Sequence, residues 1–429
     1  MLHFFATLFQ FICTAAGALY GFHIFYTLLG ALHPQPKLPP PAPPRRYAAL
    51  CCARNEQAVI AQLVRSLRAQ DYPAHLLDIY VMADNCTDAT ALAAREAGAC
   101  VFTRTDSENI GKGYALDALL QEIWRLHGKD RYDGYLIFDA DNLLQQSFVR
   151  RMNDTFALGY PVVTSYRNSR NFSANWLSYG YAVWYLHEAR FLNHPRSLLG
   201  CGAAVSGTGF LVSGALLQSL GGWPYHMLTE DIQFSADCAA KGICIGYCDS
   251  AILYDEQPQS FSQSWRQRLR WSKGFYQVDR GYLPALAAGM LQKGRSAAKR
   301  FTCFDMLLFI LPGLLFTALS AVSLLLLFGS ALQGEAAAVV ADRFFRELLH
   351  TLAMAYLSVL AVGLLTVLTE WRRIPERPIK KLLWLPLFPI FMATYAPISL
   401  QALFCRVQWL PIHHGAPSSP LCEEMAREK

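Results

Sequence analysis

Two aspartates two residues apart close an apolar run, Tyr135-Leu136-Ile137-Phe138-Asp139-Ala140-Asp141. On an extended backbone, residues i and i+2 share a face, so both carboxylates project to one side. They are a mount for Mg²⁺ or Mn²⁺, which take a few protein oxygens and the rest from water and substrate phosphates. Standing alone, such a pair is equally a solvated turn. Thr229-Glu230-Asp231 opens a helical stretch over 232–241, where its acids either complement the helix dipole or supply a general base. Gln267-Arg268-Leu269-Arg270-Trp271 gathers amide, guanidinium and indole on about one helical turn. That grouping suits a diphosphate and a sugar ring, and equally an amphipathic interfacial helix with snorkelling arginines. Asp84, ending Val81-Met82-Ala83, offers a carboxylate to a base or ribose.

These residues sit where short apolar runs give way to polar clusters. Tyr47–Ala53 and residues 77–83, 100–103, 135–139 and 162–166 read as strands, with helical patterns such as 57–69 and 112–126 between them. The rhythm predicts βα units around a mostly parallel sheet, whose ligands bind beyond the carboxyl ends of the strands. Arg54-Asn55-Glu56, Asp84-Asn85 and Asp139-Ala140-Asp141 all lie there. An aromatic helix over 174–191 carries Trp176, Tyr179, Tyr181, Trp184 and Tyr185 on several faces. Core or interfacial packing explains most of these rings, leaving one or two to line a sugar path.

Of 429 residues, 53% are apolar and only 16% charged, against roughly 25% charged in an ordinary soluble domain. This excludes a disordered or nucleic-acid-tail protein and predicts membrane spans beside a folded domain. Residues 1–32 carry no Asp, Glu, Lys or Arg, enough helix for an uncleaved anchor; a cleaved signal would want a basic start and a small-residue cleavage site. A proline-rich stretch at 33–46 reads as a stiff spacer. Further apolar runs cover 306–332, 348–369 and 382–405, and Arg372, Arg373, Arg377, Lys380 and Lys381 fall between the last two. By the positive-inside rule this predicts four spans, residues 33–300 inside, and the tail after Cys405 outside. The net charge of +6 fits the same bias rather than a nucleic-acid partner. Twelve cysteines without a CxxC pair read as buried thiols of a reducing cytosol, with Cys238, Cys244 and Cys248 a conceivable zinc set.

In order and rough spacing, Asp84, Asp139-x-Asp141, Thr229-Glu230-Asp231 and Gln267-x-x-Arg270-Trp271 resemble the motifs of membrane-embedded family 2 glycosyltransferases. That group includes cellulose, chitin, hyaluronan and rhizobial chito-oligosaccharide synthases, and glucosylceramide synthases share its motifs. The resemblance implies an α/β fold: a GT-A (Rossmann-like) cytosolic domain over 47–274, interfacial helices over 275–305, and about four transmembrane helices in a multi-pass protein of the inner membrane. It implies a nucleotide-sugar donor, with Glu56 and Asp84 on the uridine, Lys112 near the nucleotide or donor sugar, and Asp139 and Asp141 holding the diphosphate through Mg²⁺ or Mn²⁺. Arg270 would contact the diphosphate and Asp231 would be the base. Gly207, Thr208, Gly209, Glu230, Gln267 and Trp271 would meet the acceptor. One displacement inverts the anomeric centre, giving a β-linked product. The acceptor implied first is a growing glycan, with a membrane lipid as the alternative. Because four spans are few for a lone polymer channel, a homodimer or an export partner is also implied. Ala83-Asp84-Asn85 departs from the family's Asp-Asp-Gly, and 205–210 lacks the Phe-Cys-Gly lining of cellulose-synthase-like chains.

Overall fold

A computed structural model describes residues 21–311, 337–407, 414–415 and 424. The first part of the expected anchor and most of the expected span at 306–332 lie outside the described residues. In chain order the elements are α1 (Gly21–Leu32), β1 (Tyr47–Ala53), α2 (Ile60–Arg68), β2 (Leu77–Asp84), α3 (Thr90–Ala97), β3 (Cys100–Arg104) and α4 (Lys112–His127). There follow β4 (Gly134–Phe138), β5 (Leu143–Leu144), α5 (Phe148–Phe156), β6 (Val162–Ser169), α6 (Trp176–His187), α7 (His194–Leu198), β7 (Phe210–Ser213), α8 (Gly214–Leu220), α9 (Glu230–Lys241) and β8 (Ile245–Asp255). The chain continues through α10 (Phe261–Leu291), α11 (Ala297–Ile310), α12 (Ala337–Thr369), α13 (Pro378–Leu383), α14 (Phe388–Ala393) and α15 (Tyr395–Phe404).

The strands form one sheet in the order β3-β2-β1-β4-β7-β6-β8-β5. β3, β2, β1 and β4 are parallel, as the βα rhythm predicts. Beyond β4 the expectation fails: β7 runs antiparallel to both β4 and β6, and β5 is antiparallel to β8. The sheet is therefore mixed. β7 is only four residues long, too short to announce itself by periodicity. Alternation along β1 shows how the sheet is buried on both faces. Ala48 and Leu50 enter one apolar cluster with Leu116, Leu119 and Ile123 of α4. Ala49, Cys51 and Ala53 enter another with Ile60, Leu63 and Val64 of α2. The point where strand order reverses, between β1 and β4, is where a ligand crevice opens in such sheets.

The proline-rich spacer is fastened to this domain. Ala42 N–H donates to Asp154 at 2.9 Å and Arg46 N–H to Asp133 at 2.8 Å. The loop after α12 is fastened as well: Arg373 pairs with Asp249 and its carbonyl accepts from Asn168 at 2.8 Å, while Ser173 donates to Glu376. Both basic segments thus lie on the catalytic-domain side. α10 runs unbroken for 31 residues, across the boundary expected at 274.

Among the described residues, Leu352–Thr369 and Pro378–Phe404 are long and apolar enough to cross a membrane. The second is not one helix. Pro386, Pro389 and Pro397 divide it into short pieces, since each proline removes an N–H and crowds the preceding turn. Arg268, buried in α10, donates to the Phe391 carbonyl at 3.2 Å and to Thr394 Oγ1 at 2.6 Å where α14 and α15 separate. α15 lies along α10, with Tyr276 donating to Ser399 O and Lys273 to Ala402 O, each at 3.0 Å.

Candidate active site

The carboxyl ends of β1, β2 and β4 converge as the sequence predicts, through two asparagines in the left-handed region. Asn55 has φ 58° and Asn85 φ 52°, a conformation asparagine tolerates better than most residues. Asn55 Oδ1 accepts from Thr87 N–H at 2.8 Å and Asn85 Oδ1 from Asp106 N–H at 2.9 Å. Asn85 thus fills the backbone role of the glycine in Asp-Asp-Gly. The turn holds Asp84 buried, and Arg104 donates to it at 2.6 Å. Arg104 was invisible to motif reasoning because β3 ends there without any marked spacing.

Lys112 opens α4 and reaches across the crevice. Its ammonium donates to Asp139 Oδ1 at 2.5 Å and to the Gly207 carbonyl at 2.6 Å. Burial alone would lower its pKa; the charges of Asp139 and Glu230 outweigh this and raise it, so Lys112 stays protonated. Asp141 is more enclosed than Asp139, with Oδ2 accepting from Glu256 N–H at 2.8 Å.

Not all of the Ser206–Gly209 segment faces the cavity. Gly207, at φ +85°, does: a Cβ there would lie 3.5 Å from Asp231 Oδ2. Thr208 and Gly209, expected at the acceptor, turn into the sheet. Thr208 Oγ1 accepts from Asp139 N–H at 2.9 Å and donates to Asn142 at 2.5 Å, orienting the acid pair. At Gly209 a Cβ would fall 1.9 Å from Leu253 Cδ2. Its glycine serves close packing on β8, and neither Thr208 nor Gly209 lines the cavity.

Glu230 and Asp231 open α9 side by side. Burial, then its neighbour Asp231, pushes Glu230 up to about 7. Burial also raises Asp231, against the pull of the Ile232 N–H, Lys112 and Arg270. From α10, Gln267, Arg270 and Trp271 line the same cavity. Arg270 donates to the Leu228 carbonyl at 2.6 Å. Trp271 stands edge-on to Tyr181, ring centroids 5.7 Å apart. The Oε1 atom of Gln267 is buried without a partner among the described residues. Trp184 and Tyr185 of the aromatic helix also reach the cavity, whereas Tyr179 and Tyr181 are core.

Sequence reasoning missed the tail. His414 Nδ1 lies 3.0 Å from both carboxylate oxygens of Glu56, and Gly415 N–H donates to Glu256. Burial alone would lower His414, but Asp141 and Glu56 hold it up at about 10; burial pushes Glu56 up to about 6. The tail after Cys405 was expected outside. Of its described residues, His414 and Gly415 lie instead at this cavity. The 370–381 loop is docked on the same domain. Among the described residues no cluster of three or more His, Cys, Asp or Glu is set to hold a metal, so Cys238, Cys244 and Cys248 form no zinc site. Burial raises the pKa of all three thiols.

The cavity enclosing these groups has a volume of about 1140 Å³. Residues 43–274 match the family described as glycosyltransferase like family 2. The chain belongs to that family. This glycosyltransferase is 26% identical over 240 residues to a beta-monoglucosyldiacylglycerol synthase of Synechocystis, covering 54% of this chain and 48% of that protein. It is 26% identical over 236 residues to the poly-beta-1,6-N-acetyl-D-glucosamine synthase of Staphylococcus aureus, covering 53% and 54%. It is also 25% identical over 251 residues to the probable glycosyltransferase YdaM of Bacillus subtilis, covering 53% and 55%. The matches span about half the length of these relatives. In fold it is similar to a mannosyltransferase from Pyrobaculum calidifontis, solved with GDP-Man and Mn²⁺, with a TM-score of 0.56 at 17% identity over 92% of this chain and 99% of that one.

Proposed function

We propose that this glycosyltransferase moves a hexose from a nucleoside-diphosphate sugar, UDP-linked by family resemblance, onto a hydroxyl acceptor with inversion, at a membrane with the catalytic domain cytoplasmic. The observation that carries the reading is the convergence in one cavity of Asp139 and Asp141 at a strand end, Asp231 at the head of α9, and Arg270 on α10. Glu56 and Asp84, which line the same cavity, would meet the nucleotide. The acceptor oxygen bonds to the anomeric carbon as that carbon's bond to the diphosphate breaks, and the electron pair leaves with the nucleotide. Asp231 takes the acceptor proton. Its pKa, raised by burial, makes it a better base than a solvated aspartate. Lys112 and Arg270 face the growing charge of the leaving group, where preorganised donors act most strongly.

Asp139 and Asp141 fit a hard divalent cation: both are strand-end carboxylates, and the cavity they border is rich in acids. They would hold Mg²⁺ or Mn²⁺, which when bound offsets negative charge on the diphosphate. The test is UDP or GDP release by the purified full chain in nanodiscs, given individual nucleotide sugars with Mg²⁺, Mn²⁺ or chelator. Metal-dependent release from at least one donor supports the reading; no release from any donor with either metal overturns it.

A further inference from the structure

The cavity has two chemically different ends. The nucleotide end is polar. Past Asp231 the walls become apolar: Leu308 and Phe309 of α11, Phe275 of α10, Met392 of α14, and Ala396 and Leu400 of α15. The polar groups at this end are already engaged or uncharged. Tyr276 donates its hydroxyl to the Ser399 carbonyl at 3.0 Å, and Ser272 and Ser399 face each other at 3.5 Å. His187, half-buried in the lining, is kept neutral by desolvation, its pKa held down to about 4.

A lengthening glycan presents several hydroxyls per ring and needs a partner for each, because a buried unpaired hydroxyl is costly. This limb offers it few. Hydrocarbon suits the same walls, and α14 and α15 belong to a segment apolar enough for a bilayer. Charge narrows the choice further. The lining contains eight Asp and Glu carboxylates against four Lys and Arg side chains, and Lys112 is already paired with Asp139. An anionic headgroup beside Asp231 would meet repulsion, whereas a neutral hydroxyl would find Asp231 as base and the unpartnered Gln267 Oε1 as acceptor.

We infer that the acceptor is a membrane lipid with a neutral, hydroxyl-bearing headgroup, its hydroxyl at Asp231 and its acyl chains in the limb between α10, α11 and α15. The product is then a glycolipid rather than an extended polysaccharide. This rests on the glycosyl transfer proposed above: the lipid oxygen bonds to the anomeric carbon, its proton passes to Asp231, and the nucleoside diphosphate departs.

The experiment uses the full chain in phosphatidylcholine nanodiscs with Mn²⁺ and radiolabelled UDP-glucose, UDP-galactose and UDP-N-acetylglucosamine. Dioleoylglycerol, undecaprenyl phosphate, cellotetraose and chitotetraose are supplied separately. UDP release, label in the organic phase and label in water-soluble oligomers are read together. Label entering the organic phase only with dioleoylglycerol supports the inference. UDP release with label only in lengthened oligosaccharides, or only on undecaprenyl phosphate, overturns it while leaving glycosyl transfer standing. Absence of UDP release under every condition removes both. Filling the limb by Ala396→Trp should lower lipid labelling roughly tenfold or more; Leu400→Phe on the same helix serves if that variant does not purify. Wild-type labelling by a folded limb-filling variant overturns the placement of the acyl chains.

Discussion

The ammonium of Lys112 bridges Asp139 and the carbonyl of Gly207, at 2.5 and 2.6 Å. One cation thereby ties the strand-end acids to the loop that passes over Asp231. Lys112→Met should remove both this tie and a positive charge facing the leaving group. Steady-state turnover should fall about 10²–10³-fold, the scale of losing one preorganised donor. A Lys112→Met enzyme with wild-type kcat would show that the bridge has no part in transfer.

Asp231→Asn should cost about 10²–10⁴-fold in transfer, the usual contribution of a general base. In the wild type, burial raises Asp231 and holds Glu230 at about 7. Both must lose protons for the site to be fully basic, so kcat should rise with pH through neutrality. Glu230→Gln removes a like charge and should move that rise to lower pH. An unmoved profile in Glu230→Gln would mean that another group sets it.

Asp141→Asn should abolish metal-dependent nucleotide release. The amide oxygen of asparagine can still accept from Glu256 N–H, now 2.8 Å from the carboxylate, so the fold should persist by circular dichroism. Retained turnover with normal Mn²⁺ dependence would rule out the acid pair as the metal mount.

Membrane-impermeant maleimide should label Arg372→Cys and His414→Cys from the same face of sealed vesicles. The first lies in the loop docked on the catalytic domain, and the second beside Glu56 in its cavity. Labelling from opposite faces would mean that 382–405 crosses the membrane.

Asp279 offers a stability test away from the chemistry. It is 3% exposed, and neither carboxylate oxygen has a partner among the described residues. Burial raises its pKa from 3.8 to about 7. The folded protein therefore holds this proton where the unfolded chain has released it, and stability falls as pH rises from about 4 to about 7. Asp279→Asn removes the buried charge. It should stabilise the protein by roughly 1–3 kcal/mol above pH 7, with little gain below pH 4. A thermal-melt difference that does not change with pH would contradict this.

Much of the catalytic half was legible in the residues alone. Strand ends at Ala53, Asp84 and Phe138 follow from local alternation, and acids placed there share one edge of any parallel sheet. Asp231, Arg270 and Trp271 were legible by motif, because an opening turn of helix and a helical repeat are short-range features. Local periodicity has no access to partners distant in sequence. Lys112 meets Gly207 across 95 positions and His414 meets Glu56 across 358. Nor could apolar composition show how 382–405 packs on the catalytic domain, because a span and a folded segment bury the same residue types. That packing rests on Arg268 donating to the carbonyl of Phe391 and on α15 lying along α10. Local residue pattern determined which groups reach the sheet edge. Long-range packing decided which of them are paired, which face the cavity, and what borders it, because those depend on contacts that exist only once the chain is folded.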